Sequence, residues 1–261
     1  MTSLVFPAYN PGAGINRAWH HARDFIRRRP ERWEILFVLD GCTDDTEDRL
    51  ESMRRTAPDS RIRIVSYPHN RGKGHAVRTG MLAANGDYRI FTDVDLQFWD
   101  GVERTAAALY AGADLVVAAR THAESRINIP ASCLSYTVRR RIQSAVFNTV
   151  TRLLLPIQIG DTQAGLKGMS ARMAQTILPR TIINGFGFDC EWLTIAARLG
   201  ITPHQIPLTL RFDTVESTTK PKTILRILRD LWRIRKAWRK SPIDWQLPEV
   251  QESQVVHRRA A

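Results

Sequence analysis

The stretch that decides the fold is Tyr88-Arg89-Ile90-Phe91-Thr92-Asp93-Val94-Asp95-Leu96-Gln97. Its first five residues are rich in aromatic and β-branched side chains, which predicts a buried strand that ends at two acids. In open α/β sheets, ligands bind at this carboxyl edge. Asp93, Asp95 and Gln97 offer hard oxygen ligands, which suit a divalent metal, Mg²⁺ or Mn²⁺, that holds a diphosphate.

Strand and helix patterns alternate along the chain around this stretch. Strands are predicted at residues 3–6, 33–39, 62–67, 88–92 and 114–119, and again at 205–212. Helices are predicted after the first three strands, at 171–177, at 189–199 and at 222–240. The alternation predicts an α/β fold with a mostly parallel sheet flanked by helices. We expect one catalytic domain at residues 1–219, a terminal helix at 220–240, and a loosely ordered tail at 241–261.

Positive charge is concentrated in the predicted terminal helix. Residues 220–240 carry nine Lys or Arg and one Asp, or +8 of the chain's net charge of +12. Apolar residues recur there at three- and four-residue steps, with the cations on the other side. Such a basic amphipathic helix suits an anionic membrane surface. The alternative is that the apolar face packs on the domain and the basic face meets solvent. Both arrangements hold if only part of the apolar stripe packs on the domain.

Several classes of protein are excluded by what the sequence lacks. The first strand begins too near Met1 for a signal peptide to precede it, and no apolar run approaches the length of about 20 residues that spans a bilayer. We therefore expect a cytoplasmic protein that associates peripherally with the membrane, either alone or through a membrane partner protein. No Gly-x-Gly-x-x-Gly follows the first strand, which argues against a nicotinamide dinucleotide site.

Five motifs together resemble the family 2 glycosyltransferases with a GT-A fold. In chain order they are Pro7-Ala8-Tyr9-Asn10, Asp40-Gly41-Cys42-Thr43-Asp44-Asp45-Thr46, Asn70-Arg71-Gly72-Lys73-Gly74, Asp93-Val94-Asp95-Leu96-Gln97 and Gly187-Phe188-Asp189-Cys190-Glu191. Two further stretches look like the dolichyl-phosphate or polyprenyl-phosphate glucosyltransferase branch, which also includes mannosyltransferases. They are Asp161-Thr162-Gln163-Ala164-Gly165-Leu166-Lys167 and Arg229-Asp230-Leu231-Trp232-Arg233-Ile234-Arg235.

The resemblance implies an inverting, metal-dependent hexosyltransferase that uses a nucleotide-sugar donor, with UDP-glucose as the leading candidate. By analogy, the donor-binding residues are Pro7, Tyr9, Asp40, Lys73, Asp93 and Asp95. The implied metal ligands are Asp93, Asp95 and Gln97, and Asp95 acts as the main electrostatic catalyst. The cation would neutralise charge on the departing nucleoside diphosphate. Pro11 and Leu39 depart from the family pattern and weaken the expected contacts with the base.

Two acceptor classes are left open by the sequence. A lipid phosphate, such as polyprenyl phosphate, is already anionic and needs cations to clamp it. The candidates are Arg120, Arg139, Arg140, Arg141 and Arg211. A hydroxyl acceptor on a saccharide or a secondary metabolite would need a general base, for which Asp189 and Glu191 are the candidates. A third hypothesis, nucleic-acid binding on a degenerate transferase fold, is disfavoured because the motif acids would repel phosphate backbones, so no nucleic-acid partner is expected.

Overall fold

The computed structural model of the chain describes residues 1–29, 31–94, 99–128, 147–211 and 221–240. The strands in these ranges are β1 (Thr2–Ala8), β2 (Trp33–Asp40), β3 (Ile62–Tyr67), β4 (Tyr88–Thr92), β5 (Leu115–Ala118), β6 (Arg126–Asn128), β7 (Leu166–Ser170), β8 (His204–Ile206) and β9 (Thr209–Arg211). The helices are α1 (Gly14–Arg27), α2 (Thr46–Thr56), α3 (Lys73–Ala83), α4 (Trp99–Tyr110), α5 (residues 147–154), α6 (Ala171–Ile177), α7 (Phe188–Arg198) and α8 (Pro221–Lys240).

Seven strands form the main sheet, in the order β3-β2-β1-β4-β7-β5-β8. The pairs among β1 to β4 and the pair of β5 with β8 are parallel, while β7 runs antiparallel to both of its neighbours. All eight residues of β2 are buried, as expected for a parallel strand covered on both faces. The predicted α/β fold with a mostly parallel sheet is therefore confirmed.

The carboxyl-terminal half of the sheet differs from the prediction in two places. Residues 205–212 were expected to form one strand, but β8 and β9 are separate: β8 joins the main sheet, whereas β9 pairs with β6 in a second, two-stranded sheet. Pro207 lies between them and has no backbone N–H to continue a ladder. Strand β7 was not predicted, because Lys167 and Gly168 weaken its strand signal.

Helices cover both faces of the sheet and create two apolar clusters. Alternate residues of a strand contribute to opposite clusters, as Val5 and Phe6 of β1 do. One cluster lies under α1 and α4, and the other lies under α3, α6, α7 and α8. The apolar residues of α1 recur at helical spacing, and they are the six residues of this helix that are buried: Ile15, Ala18, Trp19, Ala22, Phe25 and Ile26.

The terminal helix α8 packs on the domain through one face. Ile227, Leu231 and Ile234 are buried there, and the last two belong to the core cluster under α7. On the opposite side the cations are exposed: Arg226, Arg229, Arg233 and Lys236. Within the described ranges, no helix is both long and apolar enough to span a membrane.

Candidate active site

The motifs predicted to carry chemistry meet at the carboxyl edge of the sheet. Because β1, β2 and β4 are parallel, their final residues Ala8, Asp40 and Thr92 lie along the same edge. Strand β7 runs in the opposite direction, and its first residue, Leu166, pairs with Thr92. The segment before β7 therefore returns to this edge, where Gly165 meets Asp93.

Asp40 organises the glycine turn that leads into α3. Its Oδ1 accepts hydrogen bonds from the hydroxyl of Tyr67 at 2.8 Å and from the amide of Arg71 at 2.8 Å, while Oδ2 accepts from the amide of Gly72 at 2.9 Å. Burial and the bond to Asp40 raise the pKa of Tyr67, so this hydroxyl stays a donor. Asp40 is only 2% exposed. Its carboxylate thus holds the glycine turn in place, and the structure leaves it little surface for a direct contact with a ligand.

Two of the predicted donor residues, Pro7 and Tyr9, lie in the first loop of this edge. Pro7 is in β1, in register with Val38 of β2, and Tyr9 is exposed. The following residue, Asn10, fastens this loop to the second motif: its Oδ1 accepts from the amide of Thr43 at 2.8 Å, and its Nδ2 donates to the Thr43 hydroxyl at 3.0 Å. These two bonds hold the loop that carries the exposed Tyr9 next to the second motif.

Lys73 and Asp93 form an ion pair at the centre of the edge. The Lys73 ammonium lies 2.5 Å from Asp93 Oδ1, and both side chains are partly exposed. The segment before β7 packs closely against this carboxylate: a Cβ on Gly165 would lie 2.2 Å from Asp93 Oδ2. The Gly165 carbonyl also accepts the Asp93 amide at 3.2 Å. Gly165 therefore leaves the space that the Asp93 carboxylate fills.

Asp189 forms a second pair, with a buried lysine that the sequence interpretation quoted but gave no role. Lys167 is 1% exposed, its ammonium lies 2.7 Å from Asp189 Oδ1, and it donates to the Ala164 carbonyl at 2.8 Å. Burial raises the pKa of Asp189, and the charges of Lys167 and Lys73 only partly oppose this. The sequence offered one signal for this role, which is a lone cation between apolar residues. A lysine that is buried requires a partner, so this pattern indicates a nearby acid.

Glu191 faces away from solvent, into the protein. It has 0% exposure. Its carboxylate accepts hydrogen bonds from the amides of Ile182 and Ile183, each at 2.9 Å at its nearest, and from the indole N–H of Trp238 at 3.0 Å. Burial raises the pKa of Glu191 above its ordinary value, and these three donors only partly offset that effect. The carboxylate offers no exposed oxygen to an acceptor hydroxyl.

Arg120, the first of the predicted phosphate ligands, is held by Asp161. Its Nε and Nη2 donate to the two carboxylate oxygens at 2.7 and 2.8 Å, and its backbone amide donates at 2.9 Å. Burial raises the pKa of Asp161, but the hydrogen bonds and charge of Arg120 outweigh it and leave this pKa below 3.8. Arg211 ends β9, and Arg139, Arg140 and Arg141 lie outside the described residues.

The three ion pairs influence one another electrostatically. The charges of Lys73 and Asp93 act on the pKa of Asp189, the charge of Asp189 acts on that of Arg120, and the charge of Lys167 acts on that of Asp161. Each of the three pairs joins one cation to one anion. The structure brings Lys73, Asp93 and Asp189 near one another.

The chemistry of Asp93 fits a divalent cation, although this residue is a single ligand. A partly exposed carboxylate after a sheet strand is a hard oxygen donor of the kind that Mg²⁺ and Mn²⁺ prefer. In the part of the chain that the structure describes, no cluster of three His, Cys, Asp or Glu side chains could hold a metal. The other two predicted ligands, Asp95 and Gln97, lie outside that part.

Two known enzymes are similar in sequence to most of this chain. The chain is 28% identical over 254 residues to a dolichyl-phosphate beta-glucosyltransferase of Saccharomyces cerevisiae, covering 90% of this chain and 74% of the relative. It is 27% identical to the enzyme of the same name from Dictyostelium discoideum, covering 89% and 76%.

A solved structure shares the fold. Glucosyl-3-phosphoglycerate synthase from Mycobacterium tuberculosis, crystallised with Mn²⁺ and UDP-glucose, superposes with a TM-score of 0.67 at 21% identity. The match covers 94% of this chain and 80% of that one. At this identity the likeness establishes the fold, which is the GT-A fold.

The family follows from a match over most of the chain. Residues 3–178 match the model of the glycosyl transferase family 2, and this range contains β1 to β7 with four of the five motifs. The chain therefore belongs to glycosyltransferase family 2, and it is a glycosyltransferase.

Proposed function

We propose that this enzyme transfers glucose from UDP-glucose to a polyprenyl phosphate. The donor is supported by the solved neighbour, which binds UDP-glucose, and the acceptor by relatives named for dolichyl phosphate. Both relatives align along nearly nine-tenths of this chain or more. The proposed chemistry is the attack of an anionic phosphate oxygen on a sugar carbon that carries a nucleoside diphosphate.

The observation that carries the choice of acceptor is the burial of the two predicted general bases. Asp189 is 5% exposed and pairs with Lys167, while Glu191 is fully buried and accepts three N–H groups. A raised pKa alone would suit a base, but a base must also reach the acceptor proton. A phosphate acceptor is already ionised near neutral pH and needs no such group. This geometry therefore favours phosphate over a hydroxyl.

The transfer itself exchanges one bond for another at the anomeric carbon. An oxygen of the lipid phosphate bonds to that carbon from one face while the bond to UDP breaks on the other, so the configuration inverts and UDP leaves with the electron pair. We expect Lys73 to contact the diphosphate of the donor. Support for this comes from Asp40, which orients the turn before Lys73, and from the ammonium position beside Asp93. A divalent cation held by Asp93 with Asp95 would neutralise charge on the leaving UDP.

On the acceptor side, Arg120 is the described candidate. Its Nη1 takes no part in the two guanidinium bonds to Asp161, and the side chain is partly exposed. The Asp161 pair fixes the plane of the guanidinium, which lets it meet a phosphate without first being ordered. Arg139, Arg140, Arg141 and Arg211 remain part of the same proposal.

We also propose that the acceptor is met at an anionic membrane surface, through α8. Trp232 is 65% exposed, and four cations accompany it on the outward side of the helix: Arg226, Arg229, Arg233 and Lys236. Tryptophan and cations are suited to the boundary between headgroups and acyl chains. Because Ile227, Leu231 and Ile234 pack inward, only the cationic side with Trp232 would face the lipid.

A transfer assay with a panel of donors tests this function. The purified protein is incubated with undecaprenyl phosphate, Mn²⁺ and radiolabelled UDP-glucose, UDP-galactose or GDP-mannose, and the label in the lipid fraction is counted. We expect label from UDP-glucose that depends on Mn²⁺ and disappears with chelator. Absence of lipid product from every donor would overturn the proposed reaction, whereas a product from another sugar nucleotide would correct only the donor.

A further inference from the structure

Glu191 connects the terminal helix α8 to the loop that precedes α7. Its two oxygens accept the amides of Ile182 and Ile183 at 2.9 Å and the indole N–H of Trp238 at 3.0 Å. A carboxylate that accepts several N–H groups makes charge-assisted bonds, which are stronger than neutral ones. The path of the loop at residues 182–183 is therefore determined by a side chain of α7 together with one of α8.

The same loop is the seat for the beginning of α3. The carbonyl of Asn184 accepts the amide of His75 at 3.2 Å. A Cβ on Gly74 would lie 2.8 Å from the Ile183 carbonyl and 2.9 Å from the Gly185 carbonyl, so the two backbones are in contact. Arg78 adds a clamp from the next turn of α3, because its Nη2 donates to Asn184 Oδ1 at 2.7 Å. A shift of this loop would shift Lys73, the first residue of α3.

Two further hydrogen bonds hold α8 against the domain beside this connection. The carboxylate of Asp230 accepts the amide of Gly187, at the other end of the loop. Arg235 donates to the carbonyl of Leu154 in α5 at 2.9 Å. Trp238 lies on the same side of α8 as the buried Leu231 and Ile234. Helix α8 therefore contacts the loop at Gly187 directly, and it contacts residues 182–183 through Glu191.

We propose that Glu191 and Trp238 are positioning residues, through which the docked terminal helix sets the place of Lys73 and hence the affinity for the donor diphosphate. Glu191 touches neither substrate in this account. It acts through the loop at residues 182–185 and then through the beginning of α3. The inference rests on the proposed nucleotide-sugar donor, but it is independent of the proposed acceptor.

Trp238→Phe tests the inference with a small change, since it keeps an aromatic ring and removes the N–H. Tyr110→Phe is the matched control, because it also keeps an aromatic ring while removing a hydrogen bond, the one to Thr2, which begins β1 at the opposite edge of the sheet. We expect Trp238→Phe to raise the Kd and the KM for UDP-glucose about fivefold to tenfold and to leave kcat within about twofold. This is only part of the full effect of one charge-assisted hydrogen bond, because Trp238 acts on Lys73 indirectly. Donor affinity equal to that of the parent, or a loss confined to kcat, would overturn the proposal.

A double-mutant cycle identifies the contact that carries the effect. Glu191→Gln replaces one acceptor oxygen with an N–H₂ group, and we expect it to weaken donor binding at least as much as Trp238→Phe. If the indole acts through Glu191, adding Trp238→Phe to Glu191→Gln has little further effect. Independent, additive losses would contradict the proposed link.

Amide hydrogen exchange separates a failure of this inference from a failure of the proposed donor, because it needs no ligand. Trp238→Phe should speed exchange at residues 182–185 and 74–76, whereas Tyr110→Phe should leave exchange at these residues unchanged. Unchanged exchange in both variants would overturn the connection even if UDP-glucose binds. Faster exchange in the Trp238 variant, together with no UDP-glucose binding by the parent protein, would instead retain the connection and reject the donor.

Discussion

Single residues at the carboxyl edge are matched in charge, and the matching explains how so many acids are buried there. A buried carboxylate without a partner is costly, whereas Asp161 and Asp189 each face a cation within 2.7 Å. The sequence predicted that Asp189 and Arg120 would lie near the site. It could not predict their partners, because Lys167 and Asp161 approach them only through the pairing of β7 with β4 and β5.

The Arg120–Asp161 pair has a stability effect that depends on pH. Replacing Asp161 with Asn strands a partly buried guanidinium, and we expect a loss of about 3–5 kcal/mol at neutral pH. The folded pKa of Asp161 is below its unfolded value of 3.8, so its contribution is present above pH 3.8 and is lost as the pH falls through the folded pKa. Urea unfolding of both proteins at several pH values measures the difference. A difference that stays constant or grows below pH 3.8 would contradict the pairing.

Lys167 is expected to stabilise the folded protein. Lys167→Met leaves the buried Asp189 without its cation and should lower the free energy of unfolding by about 3–5 kcal/mol. Adding Asp189→Asn should recover a large part of this loss, because the uncompensated charge is then gone. Lys236→Met, on the exposed side of α8, is the control and should change stability by less than about 0.5 kcal/mol. A double variant no more stable than the single one would show that the charge pair is not the cause.

At the scale of elements, periodic segments were predicted well and irregular ones were not. Helix α1 and strand β4 follow from their apolar spacing, and α6 was predicted with its observed bounds, Ala171–Ile177. Strand β7 was not predicted, because its sequence contains a lysine and a glycine that only the tertiary structure explains. Lys167 is neutralised by Asp189, and Gly168 gives room to Thr105 of α4, whose methyl carbon would lie 2.5 Å from an added Cβ.

Gly165, just before β7, tests how closely the elements must approach one another. A Cβ there would lie 2.2 Å from Asp93 Oδ2, so Gly165→Ala should displace the Asp93 carboxylate and reduce kcat/KM by about 10²-fold, as small misplacements at a reacting site do. Gly14→Ala in α1, where an added Cβ would meet nothing within 4 Å, is the matched control. Steady-state transfer kinetics compare the two variants. Equal activity in both would mean that Asp93 is not held where the structure places it.

At the scale of the whole molecule, charge and packing divide the surface of α8 between two roles. The inward side joins the core under α7, and Trp238 reaches Glu191 there. The outward side carries the cations and Trp232. Sequence periodicity could distinguish the two sides. It could not show which residues of α8 pack on the domain, because that depends on the surface formed by α7 and the loop at residues 182–187.

Binding to vesicles tests the outward side. The double variant Arg229→Gln with Arg233→Gln should bind vesicles with anionic lipid about thirtyfold more weakly than the parent, since each nearby cation contributes about 1 kcal/mol. The matched control, Arg17→Gln with Arg55→Gln, removes the same charge from exposed positions of α1 and α2 and should bind as the parent does. Co-sedimentation at low and high salt measures both, and the parent's binding should weaken with salt. Equal losses in the two double variants would indicate attraction by net charge alone.

The most direct test of the central claim compares two lipids that differ only in the acceptor group. The protein is given UDP-glucose and Mn²⁺ with either a polyprenyl phosphate or the polyprenol of the same chain length, and the lipid products are analysed by mass spectrometry. With Asp189 and Glu191 buried and engaged, we expect glucosyl phosphoprenol from the phosphate and no glucoside from the alcohol. Glucosylation of the alcohol at a similar rate would show that the enzyme deprotonates a hydroxyl, and would contradict the phosphate-acceptor account.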